Sequence, residues 1–241
     1  MAEEEIAADT DDMYQENEIT PDATDYSGTV KASELSRTVS LTGDTTIVLD
    51  QDKSLYKIDC NGHALTITGD KTLTIQPDSN GDYAINNASV FTLESGTVEI
   101  WDGYADSYGI RSSHSGTNKV IINGGSFITK KSKYGIDVSG DVIINGGTVD
   151  LTVPSLGKGI ESRGTIKITG GTVSIQPDDP TSYISKGLST CGKNGGIEIS
   201  GGNINSQGQV RADFVGIYRW KCQRDDKFRG RGKGSHIDLP A

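Results

Sequence analysis

One motif recurs along most of this chain, and it limits the folds that the chain can adopt. Each copy has alternating apolar and polar residues, then Gly-Gly, then a second alternating run, as in residues 166–175. The Gly-Gly pairs stand at 124–125, 146–147, 170–171 and 201–202, with a degenerate copy at 91–98. A fixed repeat with short insertions is typical of a solenoid, in which each unit packs against its neighbours.

A second motif, in which a Tyr or Lys is followed by a Gly or Ala and then by Ile or Leu, precedes each copy. Its small residue is Ala84, Gly109, Gly135, Gly159 and Gly187 in turn, with steps of 25, 26, 24 and 28 residues. Three alternating runs fit in one unit, at 135–139, 141–145 and 148–153. The period of two predicts strands, and stacked units place equivalent strands about 4.8 Å apart in parallel sheets.

We therefore predict an all-β fold: a single right-handed parallel β-helix over residues 31–210, with three strands per coil and about seven coils. The less regular region 30–82 is interpreted as the first coils plus an N-terminal cover. The residues expected to point inward in one unit are Ile136, Val138, Val142, Ile144, Val149 and Leu151. Both sets of glycines are expected at corners between sheets, since sharp turns use backbone angles that side chains resist.

The two ends of the chain differ from the repeat in charge. Residues 1–30 hold ten acidic residues and no Lys or Arg, which predicts a disordered leader or linker and argues against nucleic acid as a partner. Residues 211–241 hold eight basic and four acidic residues and are interpreted as an irregular cap or tail, or as non-native sequence. No apolar run approaches the roughly 18 residues of a transmembrane helix, and the N-terminus does not resemble a signal peptide. We expect a secreted or cell-surface protein whose signal has been removed.

Aromatic and basic residues share one position of the second motif. In successive units this position holds Tyr83, Tyr108, Tyr134, Lys158 and Lys186. An inward-facing lysine would lack a partner, so we place the position at an exposed corner. Stacked tyrosines with neighbouring Trp101 and Tyr104 would offer sugar rings a flat amphipathic surface, and the lysines would meet uronate carboxylates. The alternative is an aromatic ladder that only stiffens the solenoid.

The outward position after Gly-Ile is a candidate metal site. Successive units carry Asn86, Arg111, Asp137, Glu161 and Ser189 there. Stacking brings Asp137 beside Glu161, and adjacent carboxylates repel unless a cation neutralises them. Calcium bound by these two residues is one solution, and surface ion pairs with Arg111, Arg163 or Lys167 are the other.

Two further patterns are interpreted as structural. Asn123 and Asn145, both directly before Gly-Gly, predict an internal asparagine ladder that satisfies turn backbone groups. Cys60 and Cys191 are about five coils apart, roughly 24 Å, which is too far for a disulfide.

The Gly-Ile-x-Ser and Ile-x-Ile-x-Gly-Gly-Thr-Val pattern at 109–112, 135–139, 159–173 and 187–202 resembles the pectin-lyase-like right-handed β-helix superfamily. The resemblance covers residues 40–207. More narrowly, the chain looks like the non-catalytic carbohydrate-binding β-helix domains of clostridial secreted and surface proteins. That resemblance implies calcium as a cofactor and an acidic or plant cell-wall polysaccharide as partner. The family holds calcium with an Asp just before Gly-Ile, where this chain has Tyr or Lys.

From these features we expect a non-catalytic polysaccharide-binding module, monomeric within a larger bacterial surface protein. One alternative is a structural or adhesive solenoid with a protein partner, and another is a calcium-dependent polysaccharide lyase. A lyase needs a base beside a calcium-bound uronate, and a hydrolase needs two carboxylates about 5–9.5 Å apart. The pair Asp178-Asp179 lies between two prolines in a turn sequence, so no catalytic residue is assigned.

Overall fold

The computed structural model describes residues 24–78, 83–101, 107–112, 117–192, 195–207 and 210–212. Its strands are β1 (Thr24–Lys31), β2 (Thr38–Leu49), β3 (Lys53–Leu55), β4 (Lys57–Asp59), β5 (Leu65–Gly69), β6 (Thr72–Ile75), β7 (Tyr83–Asn86), β8 (Val90–Leu93), β9 (Thr97–Trp101), β10 (Tyr108–Arg111), β11 (Lys119–Ile122), β12 (Ser126–Lys130), β13 (Tyr134–Val138), β14 (Val142–Ile144), β15 (Thr148–Val153), β16 (Lys158–Ser162), β17 (Ile166–Ile168), β18 (Thr172–Pro177), β19 (Lys186–Thr190), β20 (Ile197–Ile199), β21 (Asn203–Ser206) and β22 (Val210–Ala212). A 3-10 helix, Ala32–Glu34, links β1 to β2. Over these ranges no helix is long and apolar enough to cross a bilayer.

Parallel pairing stacks these strands into three sheets. The first sheet runs β4-β7-β10-β13-β16-β19-β22, the second runs β5-β8-β11-β14-β17-β20, and the third runs β3-β6-β9-β12-β15-β18-β21. The first two are continuous through β2, which pairs with β4 at one end and with β5 at the other. The third sheet has seven strands, which confirms the predicted parallel β-helix with three strands per coil and about seven coils.

The interior is filled by the alternating residues of each strand. In β15, Val149, Leu151 and Val153 are buried, and the residues between them are half-buried. All six residues predicted to point inward in that coil are buried. Each such aliphatic side chain stabilises the fold by about 1.5–3 kcal/mol, and the stacked coils supply a continuous core.

The Gly-Gly pairs lie at the corner between the second and third sheets, as predicted. Gly147 has a φ of 72°, and a Cβ there would lie 2.5 Å from the carbonyl oxygen of Gly125 in the preceding coil. A Cβ on Gly146 would lie 2.6 Å from the carbonyl oxygen of Asn123. The first glycine is therefore required by close approach, and the second also by its backbone conformation.

The other set of glycines lies within the strands of the first sheet, so the corner predicted for it is wrong. In β13, Gly135 and Ile136 are both buried, which interrupts the alternation, and Tyr134 and Asp137 on either side are half-buried. A Cβ on Gly135 would lie 2.8 Å from the carbonyl oxygen of Gly159 in the next coil. The close approach of the next coil therefore leaves no room for a Cβ at Gly135.

The solenoid begins within the predicted acidic leader. β1 pairs in parallel with β2, and the buried Tyr26 anchors it. The Tyr26 hydroxyl donates to the Glu34 carbonyl oxygen at 3.0 Å and accepts from the Ser36 amide at 2.8 Å. Backbone pairing with β2 thus orders a polar segment that has little apolar surface to bury. Residues 1–23 of the predicted leader and 213–241 of the predicted tail lie outside the described residues.

Candidate functional site

A column of aromatic and cationic side chains runs along the outside of the first sheet, parallel to the solenoid axis. We name it the tyrosine–lysine column; its members, one per coil, are Arg37, Tyr56, Tyr83, Tyr108, Tyr134, Lys158 and Lys186. The sequence prediction missed the first two members. Tyr56 is followed by Lys57 where the other units have Gly or Ala, but it stands two residues before an inward Ile like the others. That spacing is the signal that identifies it.

Two neighbouring tyrosine rings of the column are stacked, and a third is tilted at 47° against them. The Tyr108 and Tyr134 ring centroids are 4.6 Å apart with an interplanar angle of 4°, and the Tyr83 and Tyr108 centroids are 5.5 Å apart. The guanidinium of Arg111 lies 4.5 Å from the Tyr108 centroid, and its Nη1 donates to the Tyr83 hydroxyl at 2.9 Å. The ammonium of Lys158 lies 4.9 Å from the Tyr134 centroid. Much of the ring faces is thus occupied by protein contacts, which limits the flat surface that was predicted for sugars.

Burial of the stack alters the acidity of its central phenol. The pKa of Tyr108 lies above its ordinary value because burial disfavours the phenolate, and the nearby charge of Arg111 only partly offsets this. Tyr108 therefore stays a neutral hydroxyl, a hydrogen-bond donor and acceptor, throughout the neutral pH range.

Glu161 joins the two lysines of the column. Its Oε2 lies 2.5 Å from Lys158 Nζ and its Oε1 lies 3.2 Å from Lys186 Nζ, with 12% of the side chain exposed. Glu161 is therefore ion-paired, as one alternative predicts, but its partners are Lys158 and Lys186 rather than Arg111, Arg163 or Lys167. Lys158 reaches it from the same strand, because the two intervening residues both face inward, and Lys186 reaches it from the next coil.

These contacts outweigh the effect of burial on Glu161. Burial alone would raise the pKa of this carboxyl, but the hydrogen bond and charge of Lys158, followed by the charge of Lys186, hold it below its ordinary value. For Lys158, burial acts to lower the pKa, and Glu161 reverses this and raises it. One carboxylate and two ammonium groups leave the triad with a net charge of +1 at neutral pH.

Asp137 and Glu161 are adjacent in register, as predicted, but the contacts of Glu161 do not fit a calcium site. Each oxygen of Glu161 is bonded to an ammonium group, which calcium would have to displace. Among the residues that the structure describes, no three acidic, His or Cys side chains are grouped as metal ligands. Ser189, predicted to face outward in the same row, is buried. The calcium binding that the sequence predicts at this position is untested, and a titration decides it.

Trp101 lies on the third sheet rather than in the column. It pairs with Lys130 of β12, whose Nζ is 3.7 Å from the indole centroid and 2.5 Å from Glu99 Oε1. The hydrogen bond from Lys130 lowers the pKa of Glu99 despite its partial burial. Trp101 ends β9, and the tyrosine of the next coil begins β10, so the two flank one corner. Tyr104, also predicted to bind sugar, lies outside the described residues.

This corner, between the third and first sheets, carries the three large hydrophobic side chains that are exposed in the described part of the chain. They are Trp101 (45% exposed), Leu156 (58%) and Tyr183 (67%). The amide of Leu156 donates to the carbonyl oxygen of Tyr183 at 3.0 Å, so the loops of neighbouring coils are joined. The same loops lead into the first sheet, where Lys158 begins β16 and Lys186 begins β19.

Two residues of these corner loops have left-handed backbones that usually favour glycine. Lys131 has a φ of 68° and Leu156 a φ of 64°. Such a conformation costs roughly 1–2 kcal/mol for a residue with a Cβ. At the Gly-Gly corner the same requirement is met by glycine, as at Gly125 and Gly147. The corner loops thus retain side chains where glycine would be less strained.

The asparagine ladder exists, but it is exposed rather than internal. Asn145 Nδ2 donates to Asn123 Oδ1, and Asn123 Nδ2 donates to Glu94 Oε1, both at 2.9 Å. Thr169 Oγ1 continues the ladder by donating to Asn145 Oδ1 at 2.9 Å. The ladder lies outside because its residues follow an inward isoleucine at the end of each second-sheet strand.

The remaining candidates are structural. Asp179 Oδ1 accepts from the Thr181 amide at 2.8 Å and from its hydroxyl at 2.7 Å, which makes the acidic pair part of a turn. Cys60 is buried and Cys191 is exposed, and both are free thiols, as predicted.

Comparisons of this chain with models of known protein families, with curated proteins and with solved structures found no match. The resemblance to pectin-lyase-like proteins therefore stays an inference from the motifs. The side chains that the parallel β-helix displays are therefore the basis for assigning a function.

Proposed function

We propose that this chain is a non-catalytic polysaccharide-binding module of a secreted or cell-surface protein. The observation that carries this proposal is the tyrosine–lysine column, which extends over seven coils. With coils about 4.8 Å apart, the column spans roughly 29 Å along the axis. A line of this length suits an extended polymer better than a small molecule, which would need a concave pocket.

The column offers hydrogen-bonding groups at regular intervals. Tyrosine hydroxyls both donate and accept, as do the hydroxyl groups of a sugar chain, and the cations at its two ends only donate. Arg37 stands at one end, with its Nη1 donating to the Tyr56 hydroxyl at 2.6 Å. The Lys158–Glu161–Lys186 triad stands at the other end with its net charge of +1. This arrangement favours a neutral or moderately anionic polysaccharide.

A structural or adhesive solenoid is the second candidate function, and one observation favours it. The Tyr108 and Tyr134 rings are stacked with an interplanar angle of only 4°, as expected if the column stabilises the coils. The calcium-dependent lyase is the remaining alternative. Its direct assay is release of unsaturated product from polygalacturonate, with and without calcium.

The deciding experiment is retention of the folded protein by insoluble cellulose and insoluble xylan, and by polygalacturonate in a native affinity gel. We expect at least one of these probes to retain the wild-type chain. The double variant Tyr108→Phe/Tyr134→Phe keeps the stack and removes two hydroxyls, so it should be retained less. Glu198→Gln, an exposed change on the second sheet, is the control. Absence of retention by all probes would overturn the proposal in favour of the structural solenoid.

A further inference from the structure

Four successive coils each place one exposed large side chain at the corner between the third and first sheets. We name this set the corner ridge: Trp101, Lys131, Leu156 and Tyr183. They follow or end β9, β12, β15 and β18, which are neighbours in the third sheet. Three coil steps give the ridge a length of about 14 Å along the axis. It is therefore a second surface, at the corner next to the tyrosine–lysine column, and three of its four members are large apolar or aromatic residues.

Two of the four ridge residues, Lys131 and Leu156, have a left-handed backbone. Leu156 has a φ of 64° and remains 58% exposed, although glycine would fit this backbone better. Lys131, one coil earlier, repeats the combination with a φ of 68°. Strained backbone that holds exposed side chains is concentrated at binding sites. The three large apolar side chains that this corner exposes make it a candidate interaction surface.

The loops beneath the ridge hold it in a fixed form. The Leu156 amide donates a hydrogen bond to Tyr183, as described above. In addition, the Gly157 carbonyl oxygen accepts from the Ser185 amide at 2.9 Å, and the Lys133 carbonyl oxygen accepts from the Lys158 amide at 2.8 Å. Lys130 also packs its ammonium 3.7 Å from the Trp101 centroid and so restrains the indole. Preorganised side chains lose less entropy when they bind, which favours affinity.

We infer that the corner ridge is the surface on which the apolar faces of pyranose rings pack when a linear polysaccharide lies along the solenoid axis. This inference rests on the proposed function and assigns the stacking contacts to groups outside the tyrosine–lysine column. The aromatic faces of the column are largely occupied by one another and by cations. In the ridge, Leu156 and Tyr183 are more than half exposed, and Trp101, which has Lys130 near its ring, remains 45% exposed. Amphipathic aromatics suit a ligand with an apolar ring face and a polar rim.

The ligand class follows from this chemistry and from the spacing. An extended chain of pyranose rings presents one apolar face after another along its length, as the ridge presents its side chains. Lys131, between two apolar members, donates to hydroxyl or carboxylate groups at the rim of the chain. A disaccharide covers only part of the ridge, so occupancy should increase with chain length.

The test combines retention with thermal unfolding, using whichever of insoluble cellulose, insoluble xylan or polygalacturonate retains the wild-type chain. We expect Trp101→Ala and Tyr183→Ala each to weaken retention by roughly tenfold, the loss that corresponds to about 1.4 kcal/mol for one aromatic contact. Leu156→Gly should weaken retention and raise Tm, because it removes the side chain and relieves the backbone. Soluble oligosaccharides of the retained polymer should compete better as their length increases, and a disaccharide should compete poorly.

Ile143→Thr is the matched control, since Ile143 is a half-buried apolar residue on the outside of the second sheet, away from the ridge. It should leave retention unchanged. Retention of the wild type with no loss in any of the three ridge variants would overturn the inference and leave the column as the binding surface. Failure of the wild type to bind all three probes would overturn both the proposed function and the role of the ridge.

Discussion

The ring of Tyr134 lies flat against the ring of Tyr108, with centroids 4.6 Å apart, although the two residues are 26 positions apart in the sequence. Parallel pairing in register forces this contact, since Tyr108 of β10 and Tyr134 of β13 are direct neighbours. The stack thus connects neighbouring coils on the outside of the solenoid, in parallel with the aliphatic core inside.

The first prediction concerns the stability that this stack provides. We expect Tyr108→Ala to lower the free energy of unfolding by about 2 kcal/mol, because it removes contacts with two rings and with Arg111. Tyr108→Phe should change it by less than about 0.5 kcal/mol, since the ring stays in place. Thermal and urea unfolding of both variants measure the difference. Equal effects of the two substitutions would show that the hydroxyl, not the ring, makes the stabilising contact.

A second prediction follows from the lowered pKa of Glu161. A carboxyl whose pKa is lower in the folded state stabilises the protein above its unfolded value, here 4.5, and this contribution is lost as the pH falls through the folded pKa. Glu161→Gln should therefore destabilise the protein by about 2 kcal/mol at neutral pH, by loss of two charged hydrogen bonds. The difference in the free energy of unfolding between the variant and the wild type should be smaller at about pH 3.

The control for this pH dependence is Glu198→Gln, which changes an exposed carboxylate on the second sheet. Its unfolding curve should follow that of the wild type at both pH values. If Glu161→Gln destabilises the protein by the same amount at the lower pH, that result would contradict the ion-paired state of Glu161.

Calcium provides the third prediction. Because both oxygens of Glu161 are bonded to lysines, we expect millimolar calcium to leave Tm unchanged in a thermal-shift titration. A calcium-dependent rise in Tm that is lost in Asp137→Asn would contradict this expectation and support calcium binding at these residues. Magnesium at the same concentration controls for ionic strength.

The repeat in the sequence is sufficient to predict the core residues and the register of the strands. The Gly-Gly copies and the period of two were enough to place Ile144 and Val149 in the core and to bring Asp137 beside Glu161. Both results depend only on register, which a solenoid fixes once and repeats in each coil.

The contacts that the sequence did not reveal depend on side-chain reach and on departures from the repeat. Lys158 and Glu161 lie on the same face of the strand because the two residues between them, Gly159-Ile160, are both buried. An ideal alternation of inward and outward residues does not contain such a pair. Leu156 and Tyr183 lie in loops of unequal length, where no periodic signal applies. The pattern places the asparagines next to inward residues and so predicts them inside, because it does not indicate that the strand ends there.

The fourth prediction concerns the direction of the asparagine ladder. Glu94 only accepts hydrogen bonds, so Asn123 must direct its amide nitrogen towards Glu94 and its oxygen towards Asn145. Asn145→Asp would place a carboxylate oxygen against the Asn123 side-chain oxygen. It should therefore destabilise the protein more than Asn145→Ala, which we expect to lower the free energy of unfolding by about 1 kcal/mol. Urea unfolding at neutral pH compares the two. Asn205→Ala, an exposed change on the third sheet, is the control.

The fifth prediction tests why glycine is needed at the Gly-Gly corner. In Gly147→Ala the new Cβ would meet the Gly125 carbonyl oxygen at 2.5 Å, at a position whose φ of 72° already disfavours a side chain. We expect a loss of about 3 kcal/mol and a fall in Tm of about 5–10 °C. Gly196→Ala is the matched control, because a Cβ there has no atom within 4 Å. If both variants unfold at the wild-type temperature, close stacking of the coils does not explain the glycines of this repeat.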